Sequence, residues 1–583
     1  MAKLTIPLFA LALAALSGCG GGNSPGAADG ATATLGDGAV GSAFVLHPAQ
    51  TDGPSNRIRL TWQGAPGTFT VFVQRASGQA FDAVDATIMG RTAVFARGAA
   101  WRYDFPTAQV RVRACDADHG CVDSNTQPLL DALLAGIARV EPQQVGFNAG
   151  FGNQVALSDD GHTLSAAAPN DRAGDAALPG IGSNFVFERG GHGAWAQQAR
   201  LERFAIANHF GEPFALSGDG RTLAVGAYSD SGTQGGIDAP EVGSLPDPAS
   251  GEDDWRGAVH VYTRDAQQSW QRQAFIKAAT PLRNELFGFR LALSQDGNRL
   301  LVGAAARMVL FQREGGVWRE VHVFTSPQEA TLAPFDGGVV LSADGLSIAV
   351  RARTVVPAGE VPVPAVFVYR PCPCGEGWRR VADLRSAKPR VFPGRGEHDD
   401  NFGLSMALSH DGRTLAVGAP RDPGDADDSG SGGFVADDIG AVYLFGPDAS
   451  GVWQRRAFLK ARAARPRDNL GVEVALSGDG RVLAASACGR SAHADGVRRN
   501  HSADATVGPL ADDPLCQWGG SAYVFEADAQ GNWSHTAAAI ALPGEKVSFD
   551  PSFSLALSAD AQTLAFGTMV FSEAGGRGRV IVF

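Results

Sequence analysis

A motif that recurs seven times between residues 155 and 568 constrains the fold of this chain more than any other feature. Each copy has two runs rich in Val, Leu and Ala, joined by Ser-x-Asp-Gly, as in FALSGDGRTLAVGA at 214–227. Asp-Gly between two apolar runs is a strong signal for a β-hairpin. In the seventh copy Ala561 replaces the turn glycine. The spacing between copies varies, so we expect a constant strand core with connections of different length.

Two further strands follow the hairpin in most copies. A tryptophan opens the fourth strand in six of them: Trp195, Trp270, Trp318, Trp378, Trp453 and Trp533. Seven units of four antiparallel strands predict an all-β fold, a seven-bladed β-propeller, over 136–583. This region begins with a fourth-strand segment, 136–141, and ends with a third strand, 578–583. We expect these two segments to pair, so that an N-terminal fourth strand closes the ring and no sheet edge stays open.

The residues before the repeats predict a second, smaller domain. Residues 42–126 contain short alternating strands that predict an N-terminal β-sandwich, and 127–135 form a connector. The stretch AQVRVRACDADHGCVDSN at 108–125 resembles the F–G hairpin of a fibronectin type III domain. The resemblance implies a spacer or a binding module.

The first residues have the pattern of an export signal. Lys3 precedes an apolar run at 4–16, and Leu-Ser-Gly-Cys then ends at Cys19, which resembles the lipobox of bacterial lipoproteins. The resemblance implies that 1–18 are removed and that acyl chains such as palmitate on Cys19 hold the protein in a lipid bilayer. Gly20 favours the outer membrane, with the protein facing the periplasm or the outside, and 19–41 form a flexible tether. The alternative is an ordinary cleaved leader.

Charge and composition exclude several classes. The net charge is −12 and no block of basic residues occurs, so nucleic acid is not expected as a partner. The chain has 74 Gly and 32 Pro but 44% hydrophobic residues, which excludes a disordered or collagen-like chain and favours a turn-rich core.

Four Phe-Gly pairs precede the hairpins, at 151–152, 210–211, 287–288 and 402–403, and Gly-Ala follows several of them. This pattern resembles the FG-GAP repeats of the integrin α-chain propeller and its bacterial relatives. In integrins the first hairpin carries a calcium loop, but here it keeps only one or two carboxylates, too few for calcium. We interpret the remaining aspartates as turn formers: Asp160, Asp219, Asp296, Asp344, Asp411 and Asp479.

The long connections between second and third strands, 228–256, 421–438 and 488–520, are expected on one face, which is also the ligand face in the integrin resemblance. Carboxylates crowded on one face attract a cation or a basic partner. The candidate binding residues are Asp230, Asp238, Asp253, Asp254, Asp437 and Asp438. Candidate metal ligands are Asp422, Asp425, Asp427 and Asp428, because 425–430 resemble the start of an EF-hand loop, although Ala436 stands where its closing Glu belongs. Calcium and a solvated acidic loop stay open as alternatives, and no other cofactor is expected.

Apart from Cys19 the chain has six cysteines, which pair locally in the sequence and suit an oxidising compartment. The predicted disulfides are Cys115–Cys121, Cys372–Cys374 and Cys488–Cys516. The Cys372-Pro-Cys374 pair has a reactive dithiol as its alternative.

Sequence motifs for catalysis are absent: there is no P-loop, no His-Glu pair and no nominated catalytic residue. The main prediction is therefore a non-catalytic, membrane-anchored binding or adhesion protein that recognises a protein or glycan through the long loops. One alternative is an envelope assembly scaffold lipoprotein. The other is a propeller hydrolase or lyase with a site in the channel.

Overall fold

The structure of the protein is a computed structural model. It describes residues 44–51, 57–99, 107–118, 120–146, 149–172, 182–191, 193–202, 210–241, 254–305, 307–325, 330–332, 338–354, 363–373, 375, 377–386, 400–422, 439–461, 468–487, 497–498, 521–540, 554–568 and 578–583. The predicted leader, the tether and Cys19 lie outside these residues. Within them, no helix has the length and apolar character needed to cross a membrane.

Two antiparallel five-stranded sheets form the N-terminal part and share one core. Successive side chains of a strand point to opposite faces, so Ile58, Leu60 and Trp62 of one strand are buried while their neighbours are not. The strands are β1 (Val45–Leu46), β2 (Gln50–Thr51), β3 (Arg57–Gln63), β4 (Thr68–Gln74), β5 (Asp82–Val84), β6 (Ala86–Met89), β7 (Thr92–Ala96), β8 (Gln109–Asp116), β9 (Gly120–Asp123) and β10 (Gln127–Pro128). One sheet has the order β1-β3-β7-β6 with β2 on β3, and the other has the order β10-β8-β4-β5 with β9 on β8.

A short helix, α1 (Leu130–Ala135), leads to seven small antiparallel sheets in the described part of the repeat region. Sheet 1 contains β12 (Val155–Leu157), β13 (Thr163–Ala168), β14 (Ser183–Arg189) and β15 (Trp195–Leu201). Sheet 2 contains β16 (Phe214–Leu216), β17 (Thr222–Gly226), β18 (Gly236–Ile237), β19 (Val259–Arg264) and β20 (Trp270–Lys277). Sheet 3 contains β21 (Arg290–Leu293), β22 (Arg299–Gly303), β23 (Arg307–Glu314) and β24 (Val317–Thr325).

Sheet 4 contains β25 (Ala330–Leu332), β26 (Val339–Leu341), β27 (Ile348–Thr354), β28 (Pro364–Pro371) and β29 (Trp378–Leu384). Sheet 5 contains β30 (Met406–Leu408), β31 (Leu415–Ala419), β32 (Ala441–Pro447) and β33 (Trp453–Leu459). Sheet 6 contains β34 (Val474–Leu476), β35 (Val482–Ala487), β36 (Val497–Arg498), β37 (Ser521–Ala527) and β38 (Trp533–Ile540). Sheet 7 contains β39 (Leu555–Leu557), β40 (Leu564–Thr568), β41 (Arg579–Val582) and, from the start of the region, β11 (Ala138–Val140).

The hairpin turn between the first two strands has the same hydrogen bonds in every sheet. In sheet 1, Oδ1 of Asp160 accepts from the Ser158 hydroxyl at 2.5 Å and from the backbone N–H of His162 at 2.9 Å. The pattern recurs at Asp219, Asp296, Asp344, Asp411, Asp479 and Asp560. The interpretation of the six predicted aspartates as turn formers is therefore confirmed.

The first strands of the seven sheets contact one another in a closed cycle, from β12 through β16, β21, β26, β30 and β34 to β39, which returns to β12. Sheet 7 is completed by the start of the repeat region, because β11 pairs with β41, with Ala138 opposite Val582. The fourth strand of the last sheet thus comes from the segment that precedes the first sheet.

Two of the long connections are not confined to one face. β18, within 228–256, pairs with β20 at the outer edge of sheet 2, and β36, within 488–520, pairs with β38 at the outer edge of sheet 6. Each insertion therefore adds a fifth strand to its own sheet.

Candidate functional site

A cavity of about 430 Å³ lies where the first strands of the seven sheets begin. The residue directly before or at the start of each first strand borders it: Gln154, Pro213, Arg290, Gly338, Ser405, Glu473 and Ser554. The cavity is therefore on the axis of the cycle, at the end from which the connections between second and third strands leave. Its volume lies within the range of small-molecule sites.

Three of the uncharged members of this set, Gln154, Ser405 and Ser554, hold neighbouring sheets together. Gln154 accepts from the backbone N–H of Phe214 and donates to its carbonyl oxygen, at 3.0 and 2.9 Å. The Ser554 hydroxyl accepts from the Val155 N–H at 2.8 Å. These side chains fix the wall of the cavity.

Arg290 and Glu473 are the two charged members of the set, and they come from opposite sides of the cycle, sheets 3 and 6. The Arg290 guanidinium lies 4.4 Å from the centre of the Phe289 ring. No described residue donates a hydrogen bond to the Glu473 carboxyl group, whose side chain is half-buried against the cavity. Burial raises the pKa of Glu473 to about 8, and the positive charge of Arg290 opposes that shift. The neutral carboxylic acid is therefore the favoured form of Glu473 at pH 7.

A second polar group lies on the wall formed by sheets 1 and 2. The Asn153 amide donates to the Glu212 carboxylate. Tyr228 packs edge-on against Phe289, with ring centres 5.0 Å apart. Burial, reinforced by the negative charge of Glu212 and opposed by Arg290, raises the pKa of Tyr228 well above its usual range, so its hydroxyl stays protonated.

The cavity thus combines a neutral carboxylic acid, a guanidinium, a phenol and an oriented carboxylate on walls that are partly polar and partly apolar. A neutral acid can give a proton to a departing oxygen. A guanidinium and a phenol can stabilise an oxygen that gains negative charge. Together these groups can transfer protons to, and stabilise charge on, a small polar molecule in the cavity.

The structure places the predicted binding-face residues differently from the expectation. Asp230 is buried, and its Oδ1 lies 2.5 Å from Nζ of Lys277, which is also buried. Asp422 accepts from Lys460 at 2.5 Å and from the Tyr443 hydroxyl at 2.8 Å. Both carboxylates are neutralised inside their own sheet and do not face a ligand.

The other described acidic residues of 228–256 are engaged as well. Asp238 accepts from the backbone N–H of Phe275 at 3.0 Å, and Asp254 pairs with Arg256 at 2.9 Å. Asp253, Asp437 and Asp438 lie outside the described residues. The predicted crowd of like charges is therefore not present among the carboxylates that the structure describes.

The candidate metal ligands are not brought together in the described chain. Asp422 is occupied by Lys460 and Tyr443, while Asp425, Asp427 and Asp428 lie outside the described residues. Within the described residues, no three His, Cys, Asp or Glu side chains form a group that could hold a metal ion.

The disulfide between Cys115 and Cys121 is confirmed, with Cα atoms 4.0 Å apart across β8 and β9. Cys372 is also disulfide-bonded. Cys374, Cys488 and Cys516 lie outside the described residues, as does the predicted lipid anchor Cys19.

Sequence reasoning missed Glu473, Arg290, Tyr228 and Glu212. The first two do have a signal in the sequence. Each repeat contains a Leu-Ser pair, and the residue three positions before its Leu is charged in only two of the seven copies. These are Arg290, at the end of FGFR (287–290), and Glu473, at the end of LGVE (470–473). No comparable signal marks Glu212 or Tyr228, because their neighbours in the cavity come from other sheets.

No protein-family model and no curated protein matches the chain. Among solved structures, the chain is similar to a periplasmic gluconolactonase of Pseudomonas aeruginosa, with 15% identity, a TM-score of 0.35, and 80% of this chain and 94% of that one covered. A candidate 6-phosphogluconolactonase from Bacteroides uniformis gives 9% identity, a TM-score of 0.34 and the same coverage. A functionally unknown protein from Desulfotomaculum acetoxidans gives 11% identity and a TM-score of 0.29, with 72% and 95% covered.

The main functional prediction, a non-catalytic binding or adhesion protein, is corrected by these findings. Two of the structural neighbours are named as lactonases, and neither is named as a binding or adhesion protein. The described carboxylates that were assigned to a recognition face are paired internally. With TM-scores of 0.29 to 0.35, the neighbours do not by themselves assign an activity to this chain.

Proposed function

We propose that the seven sheets are the blades of a seven-bladed β-propeller and that the protein is a hydrolase with its active site in the axial cavity. The closed cycle of first strands and the pairing of β11 with β41 support the propeller. The Phe-Gly pairs support the resemblance to FG-GAP repeats, since Phe151, Phe210, Phe287 and Phe402 are fully buried.

One observation carries the hydrolase proposal: Glu212, Tyr228, Arg290 and Glu473, from three different sheets, border one axial cavity of about 430 Å³. Charged residues that are far apart in the sequence and converge on one cavity are typical of an active site. A purely structural role for Glu473 would call for a hydrogen-bonding partner, and no described residue provides one.

In the proposed reaction, water cleaves a carbon–oxygen single bond of the substrate by hydrolysis. Glu212, oriented by Asn153, takes a proton from the attacking water, whose oxygen bonds to the carbon. Glu473 gives its proton to the departing oxygen, and Arg290 and Tyr228 stabilise the negative charge that develops on oxygen. Transfer of the proton from Glu212 to Glu473 through water restores the starting state.

The test is a hydrolysis screen of the full chain on carboxylic esters, lactones and glycosides. With a substrate that is turned over, we expect Glu473→Gln to lower kcat about 100-fold or more, because it removes the proton donor but keeps the shape. Glu314→Gln, an exposed carboxyl at the end of β23, is the matched control and should leave kcat unchanged. A screen without any turnover, or a Glu473→Gln variant with full activity, contradicts the proposal.

We also propose that acylated Cys19 anchors the protein in the outer membrane. The support is the lipobox-like LSGC at 16–19 after an apolar run. We expect the full chain, expressed in a bacterium, to incorporate a labelled palmitate analogue and to partition into detergent, and Cys19→Ala to lose both properties. Ser24→Ala, in the tether, is the control. A wild-type chain that stays unlabelled and aqueous rules the anchor out.

A further inference from the structure

We infer that the axial cavity binds a small ligand through a carboxylate group held between Arg290 and the carboxyl group of Glu473. The inference deepens the proposed function, because it identifies the product of that same site as a carboxylate, the group that hydrolysis of an ester or a lactone leaves.

The cationic side of the cavity suits a planar anion. The guanidinium of Arg290 stacks near Phe289, at 4.4 Å from the ring centre, and donates to the Phe289 carbonyl at 3.2 Å. These two contacts restrain the guanidinium at the cavity wall. A fixed guanidinium can offer two parallel N–H groups to a carboxylate.

On the side of the cavity opposite Arg290, the neutral carboxyl group of Glu473 supplies a hydrogen-bond donor without a negative charge that would repel the ligand. Glu473 has no hydrogen bond to its carboxyl group from any residue in the described ranges, so its O–H is available to the cavity. A neutral acid can donate to a carboxylate, whereas an ionised Glu473 would repel it. Ligand binding is therefore coupled to the proton on Glu473.

The other titratable groups that line the cavity have contacts of their own. Glu212 is engaged by the Asn153 amide. Tyr228 keeps its proton over the accessible pH range and adds a further donor near Arg290. Glu212, Tyr228, Arg290 and Glu473 are the ionisable side chains on the described wall, and burial raises the pKa of Glu473 to about 8.

Size and lining restrict the rest of the ligand. About 430 Å³ admits a molecule of one or two rings and excludes a polymer from full enclosure. Phe214, Leu404 and Met406 offer apolar surface, while Gln154 and Ser405 use their polar atoms on backbone groups. The carboxylate is thus the main polar feature that the site recognises.

The test is calorimetric titration of the full chain with D-glucuronate, with D-glucose as the uncharged match and inorganic phosphate as the tetrahedral anion, at pH 6 to 9.5. Below pH 8 we expect glucuronate to bind at least about tenfold more tightly than glucose or phosphate. Above pH 8 its affinity should fall by about tenfold per pH unit, because the binding form of Glu473 is lost.

Two variants separate the contributions. Arg290→Gln should remove the preference for glucuronate, and Glu473→Gln should keep binding but lose its dependence on pH, since the amide donates at every pH. Arg319→Gln, exposed on β24, is the control, and circular dichroism checks that each variant is folded. Equal affinity for glucose or phosphate, or a pH dependence that survives in Glu473→Gln, overturns the inference.

Failure of the two proposals can be told apart. A chain that binds glucuronate as described but hydrolyses no substrate contradicts only the hydrolase. A chain that hydrolyses an uncharged substrate and ignores carboxylates contradicts only this inference.

Discussion

At the scale of single residues, the turn position after Asp shows how little freedom the repeat allows. The turn glycine has a positive φ in each copy that has one, 65° at Gly161 and 63° at Gly412, for example, and Ala561 adopts 54° in the seventh. A left-handed conformation costs an ordinary residue about 1–2 kcal/mol, whereas glycine adopts it freely. The Asp-Gly hairpins could be predicted from the sequence because this requirement is local.

We expect Ala561→Gly to raise the free energy of unfolding by about 1 kcal/mol, since relief of backbone strain exceeds the entropy that glycine adds to the unfolded chain. Gly412→Ala is the reciprocal change. A Cβ there would lie 2.3 Å from the Ser347 hydroxyl oxygen, so it should destabilise by more than 1 kcal/mol. Denaturant unfolding measures both, and an Ala561→Gly variant no more stable than wild type would contradict the account.

At the scale of elements, an ion pair recurs between the residues after the second strand and the fourth strand of the same sheet. Asp171 pairs with Arg200 in sheet 1, and the pairs of Asp230 with Lys277 and Asp422 with Lys460 are its equivalents in sheets 2 and 5. Lys277 also donates to the Gly257 carbonyl at 2.9 Å. The pair holds the start of a long connection against its own sheet.

The strands could be predicted from the sequence because their patterns are local. The role of the acidic loops could not, because it depends on ion pairs between residues that are far apart in the sequence. The tryptophans predicted to open fourth strands stand at the first or second residue of those strands, because strand patterns are local. Asp230 meets Lys277 only after the sheet has formed, 47 residues along the chain. The aspartates of these loops can be counted in the sequence, but the lysine side chains that pair with them can be identified only in the folded sheet.

We expect Asp230→Ala to cost about 3–5 kcal/mol of unfolding free energy, because it leaves the Lys277 ammonium buried without its carboxylate. Adding Lys277→Met should restore most of the loss, since no charge then stays buried. Asp383→Ala is the matched control, because the pair with Arg385 is exposed and should be worth less than 1 kcal/mol. Equal losses for the buried and the exposed pair in denaturant unfolding would refute the burial argument.

At the scale of the whole molecule, closure of the cycle depends on contacts between sheets that no single repeat contains. The sequence predicted that 136–141 and 578–583 would pair, because each lacked a partner within its own unit, and β11 and β41 do pair. The axial cavity could not be predicted, since Arg290 and Glu473 meet only once the cycle is complete. The opposite end of the axis is likewise assembled from several sheets.

At that opposite end, the residue before each turn Asp links neighbouring hairpins. The Asp159 N–H donates to the Gly218 carbonyl at 2.8 Å, and the Ala559 N–H donates to the Asp159 carbonyl at 2.9 Å. Side chains from three sheets then meet on the axis: Gln295 donates to Asp159 at 2.8 Å, and His410 Nε2 lies 3.3 Å from it. The hydrogen bond with Asp159 raises the pKa of His410, opposed by burial and aided by the charges of Asp159, Asp411 and Asp479.

A raised pKa in the folded state means that protonated His410 stabilises the closed cycle. This contribution is complete below the unfolded value of about 6.5 and is lost as pH rises through the higher folded value. Because the pair is partly exposed, we expect about 0.5 kcal/mol. Denaturant unfolding at pH 5.5 and 8.5 should therefore show wild type more stable than His410→Gln by that amount only at the lower pH, and 1 M salt should shrink the difference. Asp159→Asn should abolish the same pH dependence while keeping the backbone links, so a variant that retains it would show that another group titrates.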